Sequence, residues 1–309
     1  MGRPAIHLRK ILLLGSNGQV GWELQRSLAP LGNLLACDRQ QADLGDLPHL
    51  EQLIRREQPD IIVNAGAYTA VDKAESEIAL ARRINAEAPS ALAKLALELG
   101  IWLVHYSTDY VFDGSGNTPN SEDSPTLPLS IYGKTKLEGE QAIRDSGCNH
   151  LIFRTSWAYA ARGSNFARTM LRLAQEKNEL RVIADQYGAP TSAELIADVT
   201  ALALQRLAQD SEQSARASGT YHLVASGETN WHQYAQFVIA EASRLGLKLR
   251  TNSERIIPIS TNEFPLPAKR PSNSRLNNSK LQRTFDLVMP NWEYHVKRMV
   301  QETIQQSTL

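Results

Sequence analysis

Short, nearly unbroken apolar runs alternate with helix-length segments through the first half of this chain, and few folds accept that rhythm. The runs cover residues 11–14, 34–37, 61–64, 101–106 and 151–154. Each is too short for a helix and lacks polar alternation, which marks strands buried on both faces. Between them lie an amphipathic stretch ending near residue 29, a stretch at 47–58, a long one at 75–99 with a break near Pro89, and one at 131–143. Consecutive parallel strands need crossovers, and helices supply them. The pattern predicts an α/β fold, a doubly wound, Rossmann-like parallel sheet with helices on both faces.

After about residue 155 the rhythm loosens. Helices are expected at 165–176, 193–208, 230–245 and 292–305, with short strands near 181–183 and 221–224. Residues 258–271 are proline-rich and read as irregular, and 211–218 as a polar linker. The expected division is a dinucleotide-binding domain at 1–155 and a smaller C-terminal α/β substrate domain at 156–309, with some later segments returning to the first.

Charge narrows the partners. Lys and Arg number 33, as do Asp and Glu. Bulk charge therefore favours neither nucleic acid nor an acidic membrane surface. No apolar run approaches the roughly 20 residues that span a bilayer, and residues 1–10 lack the apolar core of a secretory signal. Cys37 and Cys148 have no metal-like spacing and read as buried thiols in a reducing compartment. The expectation is a cytoplasmic protein acting on a small molecule, with no nucleic-acid or membrane partner.

Gly15-Ser16-Asn17-Gly18-Gln19-Val20-Gly21 follows the first strand and opens the first helix. Glycines there let backbone approach a pyrophosphate, and the helix N-terminus offers unpaired N–H groups. The spacing departs from G-x-G-x-x-G. Asp38, closing the second strand, suits the adenosine ribose hydroxyls, while Arg39 suits a 2′-phosphate. The pair leaves NADH and NADPH both open. Asp43 and Leu44 fit an adenine pocket or an ordinary turn. Small residues in Asn64-Ala65-Gly66-Ala67-Tyr68 leave room for a flat ligand at the third strand's end.

The fourth strand ends in His105-Tyr106-Ser107-Thr108-Asp109-Tyr110. Thr108 there faces the same crevice as the glycine turn. Tyr132 and Lys136 sit four apart on the next helix, hence on one face. A cation beside a phenol lowers its pKa from about 10. Threonine and tyrosine hydroxyls aimed at one oxygen, tuned by lysine, suit hydride transfer to a ketone. His105 reads as a core histidine at a strand end. Trp157 suits either a wall for a sugar ring or a place in the core. Arg275 suits a diphosphate or a surface ion pair, and Asn165 the nucleotide end; Gln186 is weaker.

The runs Ser107-Thr108-Asp109-Tyr110-Val111-Phe112, Arg154-Thr155-Ser156-Trp157 and Arg270-Pro271-Ser272-Asn273-Ser274-Arg275-Leu276 go further. With residues 15–23, 63–75 and 185–191, they resemble the dTDP-4-dehydrorhamnose reductase family of the extended short-chain dehydrogenase/reductase superfamily over nearly the whole chain. Residues 1–10 look like an extension. The resemblance implies NAD(P)H-dependent reduction of dTDP-6-deoxy-L-lyxo-4-hexulose to dTDP-L-rhamnose, the last step of a pathway feeding cell-wall or O-antigen lipopolysaccharide. By position it implies Tyr132 as proton donor, Lys136 as its partner and Thr108 on the sugar oxygen. Asp109 and Trp157 match substrate-contacting positions, and Tyr110, Asn165 and Arg275 complete the candidate substrate set. Gly18, Gln19, Val20, Asp38, Asp43, Leu44, Ala67, Tyr68, Thr69 and Tyr106 match cofactor-contacting positions. Gly15, Asn17, Arg39 and Ala65 join them from the turn and strand ends. Some members are Mg2+-linked dimers with glutamate ligands. The matching positions are Glu23, Glu194 and Glu302, so the resemblance carries a homodimer with an interface Mg2+ as one option and solvated helix faces as the other.

Three rivals remain. A 4,6-dehydratase of this superfamily places Glu where Tyr110 stands, which disfavours elimination. A 4-epimerase uses the same Tyr and Lys but recycles a held cofactor. A non-catalytic regulatory subunit has no need of Thr108, Tyr132 and Lys136 together.

Overall fold

The computed structural model describes residues 10–210, 212 and 216–306. Residues 1–9 of the expected extension, and Ser211 and residues 213–215 of the expected linker, lie outside them. In chain order the first half runs β1 (Lys10–Leu14), α1 (Gln19–Leu28), β2 (Asn33–Cys37), α2 (Leu47–Glu57), β3 (Ile61–Asn64), α3 (Val71–Ala74), α4 (Ile78–Arg82), α5 (Ala88–Leu99), β4 (Trp102–Thr108), α6 (Ile131–Ser146) and β5 (Asn149–Thr155). A sixth strand, Gly219–His222, comes from the C-terminal half and pairs with β5. The sheet order is sixth strand, β5, β4, β3, β1, β2, all parallel. This is the Rossmann-like α/β fold that the alternation predicts.

Strand parity divides the core. Ile11, Leu13, Val63, Val104 and Phe153 face α1 and the helix Ala193–Gln209, packing on Leu24, Leu28, Ile196 and Leu204. Leu12, Leu14, Ile62, Leu103 and Ile152 face the other way, onto Leu50 and Ile54 of α2 and Leu92 and Ala96 of α5. Because both faces are covered, the central strands carry nearly unbroken apolar runs. The chain leaves β1 in opposite directions to reach β2 and β3, so the crevice of the sheet opens at their carboxyl ends.

The expected helix at 75–99 begins at Ile78 and runs through α4, a π-helical turn at Arg83–Glu87 and α5, with α3 standing apart before it. Pro89 sits in the first turn of α5, where a missing N–H is harmless, so the irregularity lies before the proline. The expected irregularity at 258–271 is also only partial. Ile256–Ile259 is a strand paired in parallel with Leu180–Ile183, and a two-stranded edge tolerates Pro258. A helix at Ser279–Phe285 has no counterpart in the sequence reading, its seven residues being too few for a 3.6 period to emerge.

The βα turn depends on close backbone approach. Gly15 has φ +79°, and a Cβ there would lie 2.7 Å from Gly66 N. At Gly21 a Cβ would stand 2.1 Å from the Gly15 carbonyl oxygen. Gly21→Ala is therefore expected to destabilise the protein by about 1–3 kcal/mol, the usual range for overpacking. Denaturant unfolding checks this, and wild-type stability in the variant would refute the tight-turn account.

Candidate active site

The glycine turn, the end of β2 and the end of β3 form one wall. Asn17 Nδ2 donates to Asp38 Oδ2 at 3.1 Å, and Asp38 Oδ1 accepts the Gln40 and Gln41 N–H groups. Exposed Arg39 pairs with Asp43 at 3.3 Å, and Asp43 also takes the Gly45 N–H. Leu44 is buried against Gly66, whose Cβ would meet Leu44 Cδ1 at 2.7 Å. α1 starts at Gly18 with no side-chain cap, leaving its first N–H groups toward the crevice. Val20 packs on the core below. Backbone cleared of Cβ atoms around an open helix N-terminus fits a dinucleotide phosphate.

Past β3, Ala65 N–H bonds the Leu14 carbonyl at 3.0 Å. Asn85, in the π turn, holds Tyr68 at both backbone groups, 2.8 and 3.0 Å, and reaches Thr135 of α6 at 3.3 Å. Ala67 lies between these fixed points; Thr69 is exposed. Asn85 and Thr135 are absent from the sequence reading. A buried asparagine within an apolar helix was the signal available.

β4 delivers Thr108 and α6 delivers Tyr132. Ser130 caps α6 by accepting the Gly133 N–H at 3.2 Å, and Glu75 takes the Ile131 N–H at 2.8 Å. Gly133 is required, since a Cβ there would meet the Tyr110 carbonyl oxygen at 2.2 Å. Thr108 Oγ1 stands beside the Tyr132 side chain and donates to Asp109 Oδ1 at 3.1 Å. Tyr110 stands edge-on to Tyr132, ring centroids 5.5 Å apart. Burial pushes the Tyr132 phenol up to about 12, with the Thr108 contact opposing it. Burial also raises the Asp109 carboxyl to about 6, against the Thr108 hydroxyl that donates to its Oδ1.

Lys136 departs from expectation. It shares the helix face with Tyr132, but Nζ donates to the Tyr106 carbonyl at 2.6 Å and lies 3.1 Å from His105 Nε2. Burial lowers the lysine to about 8, with Glu140 pulling the other way. The expected lowering of the phenol by this cation is absent from the ligand-free geometry. A four-residue spacing selects a face, whereas a four-carbon stem chooses its own end point. His105 is buried as expected, yet it is part of the site.

The remaining candidates are dispersed. Tyr106 points its hydroxyl at Thr200, 2.8 Å away, so only its carbonyl faces Lys136. Trp157, with φ +47°, stacks on Trp231 at 3.7 Å and 18°; Gln186 accepts the Trp231 indole N–H at 3.1 Å. Arg275 pairs with Glu228 at 2.7 Å and covers Tyr187. Asn165 lies beside the residues of the glycine turn. It caps the helix Phe166–Glu176 and donates to Gln19 Oε1 at 3.2 Å. Arg270, unassigned from sequence, forms a two-pronged pair with Asp72 at 3.0 and 2.8 Å, tying the 268–276 segment to α3. Glu23 feels both Glu194 and Glu302, which with burial raise its carboxyl. Glu23 also pairs with Arg26, and Glu194 with Arg298, each at 3.5 Å. Among the described residues no three His, Cys, Asp or Glu side chains stand close enough to hold a metal. No described helix is long and apolar enough to cross a membrane.

A family profile described as RmlD substrate binding domain matches residues 9–305. The chain is 54% identical to dTDP-4-dehydrorhamnose reductase of Salmonella typhimurium over 303 residues, 97% of this chain and 99% of that one. It is 55% identical to the Escherichia coli K12 protein of the same name over 296 residues, 94% and 97% of the two chains. The crystal structure of dTDP-4-dehydrorhamnose reductase from Bacillus anthracis in complex with NADP superposes with TM-score 0.84 at 33% identity, covering 96% of this chain and 99% of that one.

The buried lysine sets a pH dependence. The ordinary value of 10.5 falls to about 8 in the fold, so between those values the unfolded chain binds the extra proton. Stability is expected to rise with pH across that window, by at most about 1.4 kcal/mol per unit. Lys136→Met removes this contribution. Denaturant midpoints at several pH values check it, and identical slopes in both proteins would contradict the buried-lysine assignment.

Proposed function

This chain belongs to the family described as RmlD substrate binding domain, and from that premise we propose that it reduces the 4-keto group of dTDP-6-deoxy-L-lyxo-4-hexulose to give dTDP-L-rhamnose. One observation carries the chemistry: Thr108 at the carboxyl end of β4 and Tyr132 at the start of α6 are brought side by side in one crevice. NADPH or NADH, when bound along the Gly15–Gly21 turn, supplies the hydride. Tyr132, held protonated by burial, gives its proton to the ketone oxygen, and Thr108 orients that oxygen. Buried Asp109 keeps the Thr108 hydroxyl aligned. Trp157 walls the sugar side once the substrate enters, and Arg275 answers the diphosphate on exchanging Glu228 for it.

The same reading assigns cofactor work to 1–155 and substrate recognition mainly to 156–309, with Gly219–His222 returned to the sheet. It places the protein in the cytoplasm, where buried Cys37 and Cys148 stay reduced. For Glu23, Glu194 and Glu302, one chain leaves a repulsive acidic corner. We propose that a second copy completes any Mg2+ site there. Sedimentation with Mg2+ and with EDTA tests it; a mass unchanged by either refutes a metal-linked dimer.

Purified protein, given the keto sugar and NADPH, is expected to oxidise one cofactor per sugar reduced, followed by absorbance and product analysis. An epimerase would show no net oxidation, and intact substrate with no cofactor loss would sink the reductase reading. Tyr132→Phe should lose about 10²–10⁴-fold in kcat, the usual contribution of a general acid. Its cofactor binding should persist in a fluorescence titration. Full turnover in that variant would place the proton source elsewhere.

A further inference from the structure

His105 has no part in the chemistry above, yet both of its ring nitrogens meet nitrogens. Nδ1 lies 3.2 Å from Asn64 Nδ2, and Nε2 lies 3.1 Å from Lys136 Nζ. The proton positions follow from one group that cannot accept. The Gly66 N–H points at the Asn64 side chain at 3.2 Å, so that end of the amide is its oxygen and the other its NH2. The NH2 donates, so His105 Nδ1 accepts. A neutral imidazole that accepts at Nδ1 carries its proton on Nε2. That proton points at Lys136 Nζ, which accepts only as a neutral amine. Nζ meanwhile donates to the Tyr106 carbonyl at 2.6 Å. Asn64, His105 and Lys136 are each 1% exposed, so water does not stand in for a missing partner.

We propose that His105 is a positioning residue that couples the charge on Lys136 to the Asn64–Gly66 turn in the cofactor crevice, by exchanging one ring tautomer for the other. The exchange balances with a single added proton. The Nε2 proton passes to Nζ and makes the ammonium, the incoming proton lands on Nδ1, and the imidazole stays neutral. Nδ1–H then faces the Asn64 NH2, donor against donor. Relief requires the amide to turn over, which takes its oxygen away from the Gly66 N–H. Protonating Lys136 thus loosens the Asn64–Gly66 turn, which would line the cofactor crevice, and any ligand that holds the Gly66 bond in place would favour the amine.

The groups facing this chain agree. Glu140, one helical turn beyond Lys136, favours the ammonium, but Arg154 of β5 engages both of its oxygens at 2.9 and 2.7 Å and Arg144 adds a third contact at 2.9 Å. Burial outweighs what remains: it lowers Lys136 to about 8 and, with Lys136 alongside, takes His105 well below its ordinary value. The consequence for turnover rests on the proposed role of Lys136, whereas the tautomers do not depend on it.

The test is nitrogen NMR of the ligand-free, 15N-histidine-labelled protein, with His105 assigned through its own side-chain correlations. Above the lysine midpoint the proton is expected on Nε2, and about one pH unit or more below it on Nδ1. A single tautomer throughout would overturn the coupling. Asn64→Ala removes the donor that selects the tautomer. The switch should then move to higher pH by about one unit, the equivalent of one buried hydrogen bond. An unmoved midpoint in a folded variant would also overturn it. Should that variant not fold, the wild-type tautomers decide alone. Neither measurement uses substrate, so an inactive enzyme with the expected switch would fault the reductase reading and leave this one standing.

Discussion

The hydrogen bond from Lys136 Nζ to the Tyr106 carbonyl, 2.6 Å long, joins the helix that carries Tyr132 to the strand that ends in Thr108. Everything the site can do depends on that joint. A lysine without water is unfavourable unless its donors are used, so the bond fixes how deep α6 sits. One turn later Glu140 of the same helix takes Arg154 of β5 in a buried, two-pronged pair. Breaking such a pair by losing one partner typically costs about 3–5 kcal/mol. Two glycines let the helix come this close: a Cβ at Gly133 would meet the Tyr110 carbonyl oxygen, and one at Gly139 the Asn85 carbonyl oxygen, each at 2.2 Å. The Tyr132 hydroxyl is therefore placed by core contacts, and the polar segment between β4 and α6 need not hold it.

The cofactor side is tied to the same helix by one amide. Asn85 grips both backbone groups of Tyr68 and reaches Thr135. It does so from a π-helical turn, a form that recurs at functional sites because its extra residue re-aims a side chain. His105 makes a second link at the level of β3 and β4. The cofactor crevice and the proton donor thus meet across two buried polar connections, and a shift in either wall is felt by the other. A low local dielectric strengthens such connections and makes an unpaired member costly.

The sheet was legible in the sequence because its strands are buried on both faces. Five apolar runs of the right length leave few alternatives, and the glycine turn marks the crevice. The sixth strand was visible near 221–224, but nothing local says that Gly219–His222 returns to β5. Partners far apart in sequence were the harder part. Trp157 suits a wall for a sugar or a place in the core, and its stacking partner Trp231 opens a helix more than 70 residues on with no periodic signal linking the two. Arg275 likewise finds Glu228 only through the fold. Asn165 meets Gln19 of the glycine turn only because the helix that it caps begins there.

The Tyr132–Lys136 spacing shows the limit most clearly. Four residues on a helix fix a shared face, and that inference was sound. They do not fix what a flexible ammonium touches. Here a strand carbonyl at 2.6 Å and a histidine nitrogen at 3.1 Å lie within its reach, and the lysine nitrogen settles beside both. With the lysine so engaged, burial is the largest influence on the phenol and, against the opposing Thr108 contact, holds it at about 12. A phenol in that state keeps its proton through the physiological range and gives it up only to a stronger base. The oxygen of a ketone that is receiving hydride becomes such a base, so the proton moves when the hydride does and not before.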